Sequence, residues 1–128
     1  MHKDWKPKIT NFQSYSDRIA KLSVKIDERI RMTLIQVYAP TTLADKVEIQ
    51  KFFEDVSQVI KESGPARNHY LLVLGDFNSQ IGVKNTGEKR WIGNYTYGKR
   101  NKNGNKLVQL CQENNLKIVN TIFKKKEG

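Results

Sequence analysis

The chain has 128 residues, enough for one domain with a single core and too few for several. Hydrophobic residues make up 38% and charged residues 28% of it, which excludes an intrinsically disordered composition. No apolar run approaches the roughly 20 residues of a membrane helix, and no apolar segment follows Met1. With a single cysteine, Cys111, and no secretory signal, the sequence predicts an intracellular protein, the nucleus included.

Charge is the first positive signal of function. Lys and Arg number 23 against 13 Asp and Glu, a formal net charge of +10. Residues 65–128 hold 12 basic and 4 acidic side chains, a net +8, whereas residues 1–64 hold 11 and 9, a net +2. A basic half favours a polyanionic partner, most often nucleic acid. The alternative is a basic protein that is merely soluble.

The first half of the chain predicts a hairpin. Residues 1–17 show no clear period, but Leu22, Val24 and Ile26 then alternate with polar residues, as in a strand with one buried face. Residues 32–38 are apolar on both faces, which predicts an inner strand. Pro40 ends this second strand, because proline offers no N–H to a sheet.

A helix and a third strand follow. Thr41 or Thr42 can cap the helix, and the segment Ser63-Gly64-Pro65 ends it. One apolar stripe of helical spacing lies between them: Ile49, Phe52, Phe53, Val56, Val59 and Ile60. The continuous apolar run from Tyr70 to Leu74 predicts a strand buried on both faces, ending at Gly75.

The second half is dominated by a long loop. Residues 79–103 are rich in Gly, Asn and Lys without a sustained period, and long loops in compact domains are often functional. A short helix near 104–114, a last strand at 116–121 and a solvated tail at 124–128 follow. The order β-β-α-β-loop-α-β predicts an α/β or α+β domain in which helices cover a sheet.

The segment Leu74-Gly75-Asp76-Phe77-Asn78 carries the chemistry. If the strand persists, Asp76 and Asn78 lie side by side at its end and Phe77 faces the core. A carboxylate there can bind a hard cation or orient a water, and an amide can donate to a phosphate oxygen. Tyr38 ends the neighbouring inner strand and would present its phenol near Asp76. The alternative is a turn, which Gly, Asp and Asn all favour.

These motifs resemble the endonuclease/exonuclease/phosphatase superfamily, most closely the endonuclease domain of LINE-type (non-LTR) retrotransposons and related craniofacial-development-protein-like chains. The resemblance is carried by Ile35-Gln36-Val37-Tyr38-Ala39-Pro40-Thr41 and Leu74-Gly75-Asp76-Phe77-Asn78, and it covers roughly residues 16–123. Weaker matches occur in order at 16–19, 98–104, 114–116 and 120–121.

The resemblance implies a DNase I-like α/β/β/α four-layer sandwich that hydrolyses phosphodiesters of DNA with Mg²⁺ or Mn²⁺. It implies that Asp76 orients or deprotonates the attacking water and contributes to metal binding. Asn78 would hold a phosphate oxygen, and Tyr38 would hydrogen-bond the phosphate.

Departures from the family pattern lower the expected activity. The family has an Asn on its first strand, a metal-binding Glu on the next and a terminal Ser-Asp-His motif, none of which this chain shows. The resemblance therefore implies a single incomplete domain over residues 1–128. Because a hard cation prefers about six oxygen ligands, metal held by Asp76 would be weak, and hydrolysis low or absent.

The segment 84–106 combines basic and aromatic residues, which predicts contact with nucleic acid. Cationic side chains neutralise phosphates, and flat rings stack on bases. The candidate binding residues are Arg90, Trp91, Lys99, Arg100 and Asn101. A solvated surface loop is the alternative, and a non-catalytic nucleic-acid-binding remnant or a gene fragment is the alternative function. Missing outer strands would leave open sheet edges, so self-association is expected, with no membrane partner.

Overall fold

The computed structural model describes residues 8–64 and 69–121. These residues form four strands, two α-helices and one short 3₁₀ helix. In chain order they are β1 (Lys8–Ser16), β2 (Ile19–Lys25), β3 (Arg31–Tyr38), α1 (Lys46–Ser63), β4 (His69–Asp76), α2 (Lys102–Asn114) and the 3₁₀ turn Val119–Thr121.

The four strands form one mixed sheet in the order β1-β2-β3-β4. The pairs β1–β2 and β2–β3 are antiparallel, whereas β3 and β4 run parallel through the crossover helix α1. The predicted α+β class and the hairpin that ends in β3 are confirmed. A sheet with helices on one face is consistent with part of a DNase I-like sandwich.

Helix α1 forms where the apolar stripe predicted it. Its stripe residues are buried, and with Ile35 and Val37 of β3 they make the core. The predicted cap was wrong: Asp45 is the N-cap, and its carboxylate accepts the backbone N–H of Val47 at 3.2 Å. Gly64 ends the helix as predicted, with φ of 55° and its N–H donating to the Lys61 carbonyl.

Strand β1 was not foreseen, because its sequence lacks a regular period. The pairing with β2 shifts register twice, between Ile9 and Asn11 and again between Ser14 and Ser16. Each irregularity breaks the alternation of side chains between the two faces. A sequence pattern of period two therefore cannot continue through this strand.

The prediction that β4 is buried on both faces was wrong. Leu71 and Val73 pack against the core, but Tyr70, Leu72 and Leu74 are 59%, 45% and 39% exposed. Among the described residues β4 pairs only with β3 and forms an edge of the sheet. Within residues 8–64 and 69–121, the second face of β4 therefore lacks the cover that its apolar composition suggested.

The predicted last strand was also wrong. Residues 102–114 form α2, and Asn115 ends that helix in the left-handed conformation, with φ of 55°. Ile118 then makes one isolated parallel bridge to Ile92 of the long loop, and the chain turns into the 3₁₀ helix. The Thr121 hydroxyl stabilises this turn by donating to the Ile118 carbonyl and accepting from the Gly93 N–H.

The remaining elements follow the prediction. The segment between β4 and α2 is a long loop, and Cys111 lies on the buried side of α2. Burial raises the pKa of the Cys111 thiol to about 11, so it stays protonated at neutral pH. Residues 124–128 lie outside the described part of the chain. No helix in that part is long and apolar enough to cross a membrane.

Candidate functional site

The site begins where β3 and β4 end side by side. Tyr38 and Asp76 are register partners in the parallel ladder, so their side chains emerge next to each other on the same face. Both are exposed, and the Tyr38 side chain keeps 58% of its surface accessible. The backbone joins the two strands here as well, because the Ala39 N–H donates to the Asp76 carbonyl at 2.7 Å.

Gly75 is what allows the strands to meet so closely. Its φ is 130°, and a Cβ at this position would lie 2.0 Å from the Val37 carbonyl oxygen. Only glycine tolerates both the dihedral angle and the approach. The Gly-Asp order in the motif therefore has a structural cause, which is to place the Asp76 carboxylate beside β3.

Beyond Asp76 the chain turns. The Asp76 carboxylate accepts the Asn78 backbone N–H at 2.8 Å, and Asn78 has a left-handed φ of 46°. The Asn78 Nδ2 donates to the Ala39 carbonyl at 2.7 Å. The strand ends at Asp76 and does not persist through residue 78, so the turn alternative describes the backbone. Asp76 and Asn78 nevertheless line the same groove.

Phe77 faces the core, as the alternation predicted. Its ring lies 6.3 Å from that of Phe53 in a stacked arrangement and 6.5 Å from that of Phe52, edge to face. Aromatic pairs at these distances stabilise beyond their buried area. The packing of Phe77 against helix α1 therefore anchors the turn that contains Asp76 and Asn78.

Asn103 holds the ends of the two strands together from below. Its side chain is fully buried, and its Nδ2 donates to the Pro40 carbonyl at 2.9 Å and the Phe77 carbonyl at 3.4 Å. The Asn103 Oδ1 has no partner among the described residues. This residue stabilises the site from within the protein, and its sequence position in the family-like segment 98–104 was the available signal.

Arg18 is a site residue that the sequence analysis missed as a functional candidate. Its guanidinium donates to the Tyr38 carbonyl at 3.1 Å and lies 5.7 Å from the centre of the Tyr38 ring. It also bonds Glu48 of α1 at 3.2 Å, with a third of the Arg18 side chain still exposed. Arg18 follows Ser16 in the β1–β2 turn, and only the sheet register brings it to Tyr38.

The predicted nucleic-acid contact Arg100 is engaged inside the protein. Its guanidinium makes two bonds of 2.6 Å to the Glu88 carboxylate and a third to the Ile81 carbonyl. The hydrogen bonds from Arg100, with that from the Asn85 N–H, lower the pKa of Glu88 despite its burial, while Glu88 raises the pKa of Arg100. This ion pair joins two parts of the long loop between β4 and α2.

The other predicted contacts differ in exposure. Lys99 and Arg90 are exposed, and the Arg90 guanidinium lies 6.0 Å from the Trp91 ring centre. Trp91 is half-buried, with its indole N–H enclosed and without a partner among the described residues. Asn101 is the N-cap of α2, its Oδ1 accepting the N–H groups of Gly104 and Gln80.

A groove of about 750 Å³ runs along β4 beside the site. Its polar end is lined by Asp76, Asn78 and Ser79, and its walls are largely aliphatic, including Leu74, Leu107 and Leu116. The acid and the amide therefore border an open cleft, which leaves room for a ligand at the end of the sheet.

The donor set for a metal is small. No cluster of three or more His, Cys, Asp and Glu side chains suited to a metal ion occurs within residues 8–64 and 69–121. Asp76 supplies one carboxylate, and Mg²⁺ prefers near-octahedral oxygen coordination. The described residues by themselves do not fit a tight divalent-metal site.

The fold and site define an α+β protein with a Tyr-Asp-Asn group at the ends of two parallel strands. Craniofacial development protein 2 from Bos taurus is 33% identical to this chain over 92 residues, which is 72% of the chain and 15% of that protein. The same protein from Tragulus javanicus is 30% identical over 108 residues, 84% of the chain and 18% of that protein. The chain is thus homologous to a segment of craniofacial development protein 2.

The chain spans less than a fifth of the length of the curated relatives it matches. No family model matches it, and no solved structure matches it. The identities therefore support a common ancestry for this segment and its fold, and they carry no activity, substrate or partner to it.

Proposed function

We propose that this chain forms the central part of an endonuclease/exonuclease/phosphatase-type domain that acts on phosphodiesters of DNA, of the kind found in LINE-type retrotransposons. The observation that supports this most is the placement of Tyr38, Asp76 and Asn78 together at the ends of β3 and β4, beside an open groove. Homology to craniofacial development protein 2 is compatible with this proposal at the level of the fold.

The proposed roles follow from the donors and acceptors at the site. Asp76 is exposed and accepts hydrogen bonds, so it can orient a water for attack on phosphorus. Asn78 uses one Nδ2 hydrogen on Ala39, and an amide NH₂ has a second one to donate to a phosphate oxygen. The Tyr38 phenol donates likewise, and Arg18 adds positive charge beside it.

The chain is proposed to hold Mg²⁺ or Mn²⁺ weakly, through Asp76. Asp76 would provide the carboxylate, and water and phosphate oxygens or further polypeptide would have to complete the coordination. Hydrolysis by this chain alone is therefore proposed to be weak. The part assigned to its own residues is to bind and orient the phosphodiester.

The loop that follows Asn78 is proposed to contact the DNA backbone. Lys99 and Arg90 are the exposed cations among the predicted residues, and Trp91 offers part of a ring for stacking. Arg100 contributes through its pair with Glu88, which shapes the loop. Contacts of this kind depend on salt, because phosphate neutralisation releases counterions.

A plasmid-nicking assay with Mg²⁺ tests the catalytic part. Metal-dependent nicking is expected to fall about 100-fold or more in Asp76→Asn, the loss typical of a general base. The matched control is Glu28→Gln, which removes an exposed acid from the β2–β3 turn at the other end of the sheet. Nicking that is equal in both variants would identify a contaminating nuclease and reject the assignment.

Binding without cleavage is the second candidate, and it is favoured by the absence of a three-ligand metal cluster among the described residues. Fluorescence anisotropy with a labelled duplex measures it. Lys99→Ala and Arg90→Ala are each expected to reduce the slope of log affinity against log salt by about one. The control Arg29→Ala removes the same charge from the β2–β3 turn and should leave the slope nearly unchanged.

A further inference from the structure

A cation, a phenol and a carboxylate follow one another across the ends of three neighbouring strands. Tyr38 of β3 and Asp76 of β4 are register partners. The Tyr38 N–H donates to the Arg18 carbonyl at 2.9 Å, which continues the pairing of β2 with β3 by one residue before Ile19. Arg18, Tyr38 and Asp76 therefore form one row that runs across the strands, and these three residues are called the strand-end row.

The strand-end row is longer than a single phosphate group. Adjacent strands lie about 4.8 Å apart, so the row from Arg18 to Asp76 crosses two such spacings, or roughly 10 Å of backbone. A nucleic-acid strand carries one phosphate for about every 3.4 Å of helix axis. The row therefore has the length to meet two successive phosphates of one strand, whereas an isolated phosphate ester would contact only part of it.

Arg18 is the cation of the strand-end row, and its guanidinium is only partly engaged. One Nη group donates to the Tyr38 carbonyl at 3.1 Å, and the other donates to Glu48 of α1 at 3.2 Å. A guanidinium carries five N–H donors in a planar fork that matches phosphate oxygens. Because 34% of the Arg18 side chain is exposed, its remaining donors can reach a phosphate at the edge of the sheet.

Glu48 holds the Arg18 guanidinium without burying it. The Glu48 side chain is 51% exposed, and exposed ion pairs contribute little to stability because water screens both charges. Hydrogen bonds from arginine to phosphate are charge-assisted and stronger than neutral ones. A phosphate can therefore share or replace the Glu48 contact at small cost. Glu48 orients Arg18 and also competes with the phosphate for it.

We infer that Arg18 binds the phosphate next to the one held by Tyr38, Asp76 and Asn78, so that the site takes a polynucleotide strand and not an isolated phosphate ester. The inference rests on the proposed function for the first phosphate and adds a second subsite to it. The two subsites define a path for the nucleic-acid strand across the ends of β2, β3 and β4. Arg18 supplies attraction at one end of a row whose other end, Asp76, repels phosphate.

Binding measurements on two variants separate phosphate contact by Arg18 from a structural role. Fluorescence anisotropy uses a labelled DNA oligonucleotide in EDTA, so that nothing is cleaved. Arg18→Ala should weaken binding about tenfold, because it removes a charge-assisted contact. Glu48→Gln should strengthen binding about two- to threefold, the size of an exposed ion pair, because Arg18 loses its competing carboxylate and keeps its charge.

The control for net charge is Glu28→Gln, which removes an exposed acid from the β2–β3 turn. It should strengthen binding less than Glu48→Gln does, since Glu28 lies at the other end of the sheet. If Glu48→Gln instead weakens binding, or binds no better than Glu28→Gln, Arg18 acts through its ion pair and the inference is overturned.

Ligand length tests the second subsite. The probes are a thymidine dinucleotide with one internal phosphate and a trinucleotide with two, both without terminal phosphates. The wild-type chain should bind the trinucleotide about tenfold more tightly, as expected for one further charge-assisted contact. Arg18→Ala should abolish this gain and leave the dinucleotide affinity nearly unchanged, and Arg18→Lys should restore part of the gain because it keeps the charge without the fork.

Two results of the length test would overturn the inference. If Arg18→Ala weakens both ligands equally, Arg18 contacts the first phosphate and there is no second subsite. If the trinucleotide shows no saturable binding to the wild-type chain, the row does not take a strand. Should Arg18→Ala fail to fold, Arg18→Lys and Glu48→Gln carry the same comparison, because both keep a cation at position 18.

The outcome is distinguishable from that of the nicking assay. Length-dependent binding that requires Arg18, without any nicking by the wild-type chain, rejects the proposed catalysis and supports the second subsite. Asp76-dependent nicking, with the same gain from the second phosphate in wild type and Arg18→Ala, supports the catalysis and overturns the subsite.

Discussion

The Asn78 side chain donates to the Ala39 carbonyl at 2.7 Å, and this bond joins the segment after β4 to the segment after β3. Asn78 also has a left-handed φ of 46°, and it lines the groove. The residue therefore stabilises the turn and faces the candidate ligand site. Asparagine is among the few residues that adopt this conformation readily. The motif residue thus has a structural and a proposed functional role that substitutions can separate.

Replacing Asn78 in two ways separates these roles. Asn78→Gly keeps the left-handed backbone and removes the amide, so it should cost about 1 kcal/mol of stability for the lost hydrogen bond. Asn78→Ala also strains the backbone, which should cost about 1 kcal/mol more. Urea denaturation measures stability, and both variants should lose nicking to a similar extent. Equal stability of the two variants would show that the positive φ carries no strain.

Gly75 should be nearly irreplaceable. The Cβ in Gly75→Ala meets the Val37 carbonyl oxygen at 2.0 Å, so the ends of β3 and β4 must separate. The expected loss is about 3 kcal/mol in chemical denaturation, since backbone atoms cannot yield as a side chain does. Gly87→Ala is the control: its φ is 88°, and no atom lies within 4 Å of the added Cβ. A loss at Gly75 no larger than at Gly87 would contradict the close strand contact.

The elements with an unbroken period were predictable from the sequence. The stripe of α1 and the apolar run of β3 satisfy one local rule over a whole element, so the rule locates them. Strand β1 was not predicted because two register shifts interrupt the alternation of its side chains between the two faces of the sheet. The prediction that β4 is buried on both faces was wrong because composition shows which side chains a strand can bury and not which neighbouring elements cover them.

Site prediction had a similar limit. Tyr38 and Asp76 are the last residues of two apolar strands that run parallel. Because parallel strands end at the same edge of a sheet, the proximity of these two residues could be inferred from the strand patterns alone. The pairing of Arg100 with Glu88 depends on how a loop of irregular structure closes. Arg18 reaches Tyr38 through sheet register, 20 residues away in sequence. No periodic signal encodes contacts of this kind.

Asn103 should stabilise the protein out of proportion to its size. Asn103→Ala leaves the Pro40 carbonyl without its buried donor and opens a small cavity, which together should cost about 1–3 kcal/mol. Asn105→Ala, an exposed position on the same helix, should change stability by less than about 0.5 kcal/mol. Thermal denaturation compares the two variants. Similar melting temperatures would mean that the strand ends do not depend on the Asn103 bonds.

The Glu88–Arg100 pair should make the loop sensitive to acid. The pKa of Glu88 lies below its usual 4.5 in the folded protein, so the folded state binds this proton less readily than the unfolded state does. The stabilisation is therefore fully present above the unfolded pKa and is lost as the pH falls through the folded pKa. Urea denaturation should show a constant contribution from this pair between pH 7 and about pH 5, then a decline.

Substitution of the same pair gives the matching result at neutral pH. Glu88→Gln leaves the Arg100 guanidinium without its carboxylate, with only 13% of that side chain exposed, and should cost about 3 kcal/mol. It should also reduce the loss of stability in acid. Asp55→Asn, which breaks the exposed pair with Lys51, should leave both properties nearly unchanged because surface pairs contribute little. An acid profile identical in wild type and Glu88→Gln would assign the acid sensitivity to other carboxylates.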